Sequence, residues 1–420
     1  MNWKQRYAMK SYLRSALWII PLVALALEQI AIRLVSAIDV SLTWAPRLAA
    51  TAGEMSGVMD TVVTLDISFI VFTFGSMLVA IQVASGQMTP RIIATALLRD
   101  NFIRCIVGLF IFSLLFAAGT KARIDEEAPL LSVTISFGLG IASITAFLFL
   151  IDYTARMLRP VAIVWRIGEQ GIEVIETVYP QAVLPPHAPT PLRQPLGPSD
   201  RTVEHRGTSA IVLAANTQSL VALAQSADGI IEFVPRIGDF VAIGEPLFQL
   251  YGNATEIDDR RLRAQVAFGP ERTIEQDSTF AFRVIVDVAI KALSKAINDP
   301  TTAVLAIDQL HRLLRMVGRR RLHDDALLDA EGRLRLIFRT PDWEDFVHLS
   351  FREIRFYGAE NFQVARRLRA MIMNLTATLP ETRLLALHRE LRLLDQALEI
   401  NFNLPEDLAL ARQPDLQGLG

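Results

Sequence analysis

Apolar residues crowd the first third of the chain. Four runs, residues 16–38, 58–84, 102–120 and 129–151, carry few charges and are each about as long as a bilayer requires. At 1.5 Å rise per residue, roughly 20 residues cross a hydrocarbon core of about 30 Å, so the pattern predicts four transmembrane helices. Glu28 and Arg33 follow the most apolar part of the first run, and no Ala-x-Ala-like site closes it, so a retained span is expected rather than a cleaved leader. Beyond residue 166 the period changes. Strands are predicted over 209–215 and 230–234 with a short helix over 218–225 between them, then short strands around Gly238 and Gly244. From Thr273 the spacing becomes helical over 280–293 and 301–317. A hairpin over 326–339 turns at Glu331-Gly332, and helices follow over 344–357, 360–379 and 381–402. Pro185, Pro186, Pro189, Pro191 and Pro195 make 180–198 an extended connection. The expected architecture is an α-helical integral membrane protein. Four N-terminal transmembrane helices (1–165) precede a cytoplasmic α+β region, made of a small β-containing module (166–255) and a mostly helical one (256–420).

Basic residues beside the runs orient them. Lys4, Arg6, Lys10 and Arg14 precede the first run, Arg91, Arg99 and Arg104 lie between the second and third, and Arg156, Arg159 and Arg166 follow the fourth. The two other connections offer Arg47 alone, or Lys121 and Arg123 beside Asp125, Glu126 and Glu127. The basic flanks predict a multi-pass protein of the cell membrane with both termini cytoplasmic. A composition 51% hydrophobic and 20% charged argues against a wholly soluble or disordered chain. The net charge of −2 supplies no concentrated basic surface for nucleic acid.

Candidate chemistry is sparse. Cys105 is the sole cysteine, so an intramolecular disulfide and a cysteine-based zinc site are excluded. His187, His205, His311, His323, His348 and His388 lack paired-ligand spacing, and His323-Asp324-Asp325 reads as a solvated turn, so no metal is expected. The sequence has no Walker loop, no Gly-x-Ser-x-Gly elbow and no dinucleotide fingerprint. It offers no nucleophile with a base and an orienting residue, so neither catalytic residues nor a cofactor are expected. Gly238-Asp239-Phe240-Val241 has the form of a carrier-domain turn. No lysine lies between Gly207 and Lys291, so a structural β-turn is expected there.

Intramembrane polarity is the stronger signal. Asp66 lies inside the second run, about a third of the way in from its predicted outer end, with Asp60 and Glu28 at comparable depth and Arg33 as a counter-charge. An ionisable residue at that depth faces protein or a water-filled cavity, as part of an ion or proton path or as a helix–helix polar contact. Thr61, Thr64, Ser68, Gly75 and Gln82 fall near one helical face, which can line a pore or pack against a neighbour. Ser136, Gly140 and Ser143 make a second such face. Thr89-Pro90-Arg91 opens a predicted interfacial helix running to Asp100. Asn298-Asp299-Pro300 has the form of a helix cap, with a ligand-binding or subunit-contact turn as the other reading. Arg272, Glu275 and Asp277 are its expected salt-bridging neighbours.

Several strings resemble one family, the domain of unknown function 2254 family of predicted bacterial membrane proteins. They are Val83-Ala84-Ser85-Gly86-Gln87-Met88-Thr89-Pro90-Arg91, Leu98-Arg99-Asp100, Arg236-Ile237-Gly238-Asp239-Phe240-Val241, Arg272-Thr273 with Glu275-Gln276-Asp277, and Ala292 through Asn298-Asp299-Pro300 to Ala303. Lys295 replaces the family's usual proline, and Asp152 and Tyr153 replace a histidine pair. The resemblance implies four membrane helices and a cytoplasmic domain in the bacterial inner membrane, and it implies no activity. Two functional readings stay open. One is a homo-oligomeric ion channel or transport-related pore, in which helix two lines the path between subunits because four helices are few for a single-chain path. The other is a non-transporting, membrane-anchored scaffold or ligand sensor.

Overall fold

The computed structural model describes residues 3–16, 18–41, 52–87, 100–124, 130–157, 159–183, 196–322 and 325–418. The predicted interfacial helix after Thr89, most of the proline-rich connection, His187, His323 and Asp324 lie outside these. The chain divides into two compact units, residues 11–163, and residues 164–420 with 1–10.

The first unit is a bundle of long apolar helices: α2 (Ile19–Ser41), α3 (Ala52–Gln87), α4 (Asn101–Lys121) and α5 (Leu130–Met157); α1 (Trp3–Ser15) precedes them in the chain, and its residues up to Lys10 belong to the other unit. Each of α2 to α5 is long and apolar enough to cross a membrane. Helix α4 is the central member, packed on the other three, and half of its span is buried. Glycines set the close crossings. A Cβ on Gly108 would meet Ile20 Cγ2 at 2.8 Å, one on Gly119 would meet Ile32 Cδ1 at 2.4 Å, and one on Gly140 would meet Val62 Cγ2 at 2.8 Å. Missing side chains at these points let α2 approach α4, and α3 approach α5.

Side chains from other elements close the helix ends. Asp100 caps α4 by accepting from Phe102 N at 2.9 Å, and Tyr153 Oη donates to its other oxygen at 2.6 Å. Asp39, near the end of α2, accepts from the backbone N–H groups of Leu131 and Ser132 at 2.8 and 3.0 Å and so caps α5.

The second unit is α+β. Helix α6 (Pro160–Val178) leads to β1 (Arg201–Glu204), β2 (Ala210–Ala215), α7 (Thr217–Ala227), β3 (Gly229–Phe233), β4 (Phe240–Val241), β5 (Pro246–Gly252), α8 (Asp259–Arg263) and β6 (Val266–Gly269). Then come α9 (Ser278–Ala292), α10 (Pro300–Gly318), β7 (Ala326–Leu328), β8 (Leu334–Phe338), α11 (Trp343–Gly358), α12 (Phe362–Thr378), α13 (Leu384–Asn401) and α14 (Pro405–Ala411). One sheet has the order β1-β5-β3-β8-β7 and a smaller one the order β4-β2-β6. Every ladder is antiparallel except β3 with β8. That parallel pair, Ile231 opposite Leu336, carries the larger sheet across residue 255, where the sequence suggested a module boundary.

The core of the sheets gathers Val203, Val212, Ile231, Phe233, Phe248 and Leu336 under Leu220 and Ala224 of α7. The helical side is threaded by α6, whose Gly168 and Gly171 lie against Gln309, Ala281 and Leu313 of α9 and α10. Arg312 spans the same contact. Its guanidinium sits 3.9 Å from the Trp165 ring centre and pairs with Glu169 at 2.5 Å.

Candidate functional site

Within residues 164–420 a cavity of about 810 Å³ opens where three helices begin. Its wall includes Thr217 and Gln218 of α7, Ser278 and Thr279 of α9, and Asp345 of α11. Polar caps explain why the chain starts helices there. Asn216 accepts from Ser219 N at 3.2 Å, Asp277 accepts from Phe280 N at 3.1 Å, and Asp342 and Asp345 form a reciprocal capping box. Helix starts present backbone N–H groups without intrahelical partners and the positive end of the helix dipole, so this wall favours a negative ligand.

Arg236, Arg272 and Arg339 line the same space. Arg272 is held hard. Its Nε and Nη2 donate to Asp277 Oδ2 at 2.9 and 2.5 Å, and Thr279 Oγ1 donates to Asp277 Oδ1 at 2.6 Å. Gly238 makes the arrangement fit. It is the third residue of a turn closed by Asp239 N to Arg236 O at 3.1 Å, with φ of +94°, which suits glycine in a type II turn. A Cβ there would also meet Arg272 Nη2 at 2.4 Å and Asp277 Oδ2 at 2.5 Å. The two strings Arg236-Ile237-Gly238-Asp239 and Arg272 through Asp277 thus meet at one point, separated in sequence but packed as one wall.

The acidic groups in the wall are already engaged. Asp277 serves Arg272 and α9, Asp239 accepts from Arg236 N at 2.8 Å, and Asp345 serves α11 and Arg236 Nη1 at 3.3 Å. Arg339 is exposed and forms no ion pair among the described residues. At the floor, Tyr179 is buried. Burial is the main cause that pushes its hydroxyl up to about 12, opposed by hydrogen bonding with Ser278 and reinforced by the charge of Asp277. It is a neutral hydroxyl at any ordinary pH.

The sequence-predicted residues separate into groups. Arg272 and Asp277 reach the cavity, whereas Glu275 lies outside its lining. Asn298 and Asp299 are also outside it. Asp299 caps α10 through Thr302 N at 3.0 Å, with Asn298 in a left-handed turn at φ +49° and Pro300 opening the helix. The expected pairing of Arg272 with that turn is replaced by its pairing with Asp277, the nearer carboxylate in the chain. Arg339 and Tyr179 carry no motif in the sequence, whereas the helix expected over 218–225 is α7. The run Asn216-Thr217 and the pair Asp342 and Asp345 were the available cap signals.

The polar residues of the apolar helices also divide. Asp66 is fully buried, while Thr61, Thr64, Ser68, Gly75 and Gln82 face outward from the bundle on other sides of α3. A path lined by both Asp66 and the polar face is therefore not formed within one chain, since helical geometry turns them apart. Asp60 pairs with Lys121 at 2.5 Å, not with Arg33, which forms no ion pair among the described residues. Glu28 is buried and accepts from Gln29 Nε2 at 2.8 Å. Helix α3 starts at Ala52, earlier than the predicted span, and Asp66 lies close to the middle of its apolar stretch. Among the described residues no cluster of three or more histidine, cysteine, aspartate or glutamate residues is able to hold a metal.

A family model described as "Predicted membrane protein (DUF2254)" matches residues 14–374. Uncharacterized protein Rv1290c of Mycobacterium tuberculosis and uncharacterized protein Mb1321c of Mycobacterium bovis are each similar at 27% identity over 372 residues, covering 84% of this chain and 70% of theirs. No solved structure matches.

Proposed function

The chain belongs to the DUF2254 family of predicted membrane proteins, and on that premise we propose that it is a membrane-anchored receptor for an anionic small molecule. In this reading α2 to α5 cross the bacterial inner membrane with both termini in the cytoplasm, and the cavity of the 164–420 unit takes the ligand. One observation carries it. Three helix starts and three arginines converge on a cavity of about 810 Å³ whose own carboxylates are spent on caps and on Arg272 and Arg236. The volume is that of a site for a molecule of nucleotide or cofactor size. Arg272, immobilised by Asp277, supplies a fixed fork, and the unpaired Arg339 at the rim supplies a second, adaptable contact.

The test is native mass spectrometry of the full-length protein for co-purified anions, followed by thermal-shift titration with inorganic phosphate, pyrophosphate and nucleoside mono- and diphosphates. A saturable rise in melting temperature that is lost in Arg339→Glu, with the unliganded melting temperature unchanged, supports the receptor. Absence of any anion-specific shift removes it.

A second reading, the homo-oligomeric pore, is favoured by the outward polar face of α3. Thr64, Ser68 and Gln82 are exposed in the single chain, where a neighbouring subunit would cover them. Flux through the purified protein in liposomes, with particle mass in the same lipid, tests it. A monomeric, tight particle removes it.

A further inference from the structure

Among the described residues, the buried hydroxyls of the helix bundle that find a partner bond either to the carbonyl one turn back or, for Ser132, to the Asp39 carboxylate, and two find none. Thr73, Thr120 and Ser136 each donate to the carbonyl one turn back, Phe69, Phe116 and Ser132, at 2.6, 2.8 and 2.8 Å. That local bond is the usual way a membrane helix satisfies such a group. Ser113 and Ser143 are as deeply buried, at 0% and 1% exposure, yet make no such bond. Both are the polar neighbours of Asp66, whose two carboxylate oxygens are likewise buried and form no hydrogen bond of ordinary geometry with them.

These three residues come from α3, α4 and α5, and each sits near the middle of its helix. Apolar clusters close the layer on both sides. Met59, Val62 and Ala117 lie toward one end, and Phe69, Phe110 and Leu150 toward the other. The arrangement is a carboxylate and two hydroxyls facing one another between two apolar clusters, with no basic side chain paired to the acid among the described residues.

A carboxylate enclosed in this way is balanced by a proton or by a bound cation, and two hydroxyls turned toward it supply the further oxygen ligands that a cation, unlike a proton, requires. Oxygen donors of this kind are the ligands that hard cations take. A single carboxylate balances one positive charge, and a divalent ion would leave an unbalanced charge in an apolar bundle. We propose that Asp66, Ser113 and Ser143 form an intramembrane binding site for a small monovalent cation. The site is independent of the ligand cavity and joins three helices through one ion. It does not require a continuous pore.

The experiment is thermal unfolding of the full-length protein in lipid nanodiscs, titrated with NaCl or KCl against N-methyl-D-glucamine chloride at fixed ionic strength. The expected result is a saturable rise of about 3 °C or more once the cation exceeds its dissociation constant about tenfold. Asp66→Asn is expected to abolish the rise while folding, and Ser113→Ala or Ser143→Ala to weaken the apparent affinity about tenfold. No difference between Na+ or K+ and the organic cation overturns the proposal, as does a rise that persists unchanged in Asp66→Asn. If Asp66→Asn does not fold, the double variant Ser113→Ala with Ser143→Ala replaces it, and unchanged affinity there overturns the site.

Discussion

Gly238 shows how much one missing side chain can hold in place. Its positive φ and its approach to the Arg272–Asp277 pair both forbid a Cβ, so Gly238→Ala should displace the fixed arginine as well as strain the turn. The backbone alone contributes a cost of about 1 kcal/mol or more. The expected outcome is a lower melting temperature together with weakened anion binding, measured by thermal shift with and without ligand. His311 carries a pH signature in the same unit. Burial is the main cause that holds its imidazole below the ordinary value of 6.5, partly opposed by the bond between Nε2 and Asn374 Oδ1 at 2.9 Å. Arg367 and Arg315 further lower it, and Asp308 raises it. Because the folded state resists protonation, the contribution of His311 is complete above pH 6.5 and is lost as pH falls through the depressed folded value. Chemical denaturation at pH 7.5 and 5.5 should show this loss in the parent protein and a smaller one in His311→Gln.

Elements were legible where the cause was local. The four long helices follow from uninterrupted apolar runs, and α9 to α13 follow from their period and caps, such as Asp299-Pro300 at the head of α10. The cavity was half legible. Arg272 and Asp277 stood out as residues, but their partner Gly238 lies about 35 positions away, and only packing brings the two strings together. Which face of α3 turns inward was not legible either, because Asp66 and Ser68 sit two positions apart and helical geometry sends them to opposite sides. Caps supplied from distant elements belong to the same class. Asp39 holds the start of α5 from α2, so Asp39→Ala should destabilise the bundle by about 0.5–2 kcal/mol. Unfolding of the purified protein in mild detergent checks this, and Asp39→Asn, which keeps an acceptor, should recover part of the loss.

For the whole molecule, the chain combines a bundle whose interior is closed by glycine crossings with an α+β unit that holds a cavity lined by helix starts and arginines. If the cavity is a receptor site, a ligand-driven rise in stability should appear in the full-length protein without any change in the cation dependence assigned to Asp66. Independent additivity of the two shifts, measured with anion and cation together, is the expected result. A departure from additivity would mean that the two sites bias a common equilibrium.

The parallel pairing of β3 with β8 also bears on how the chain is made. Strand β3 leaves the ribosome well before its partner, because their paired residues lie roughly a hundred positions apart in sequence. Until β8 emerges, β3 offers an open edge beside β5, the kind of edge that recruits other strands. A chain ending before Leu334 should therefore be made and then lost to aggregation or proteolysis, whereas one ending after the last helix should not. Messages ending before Leu334 and after the last helix would be expected to differ in how much protein survives, even though α2 to α5 are intact in both.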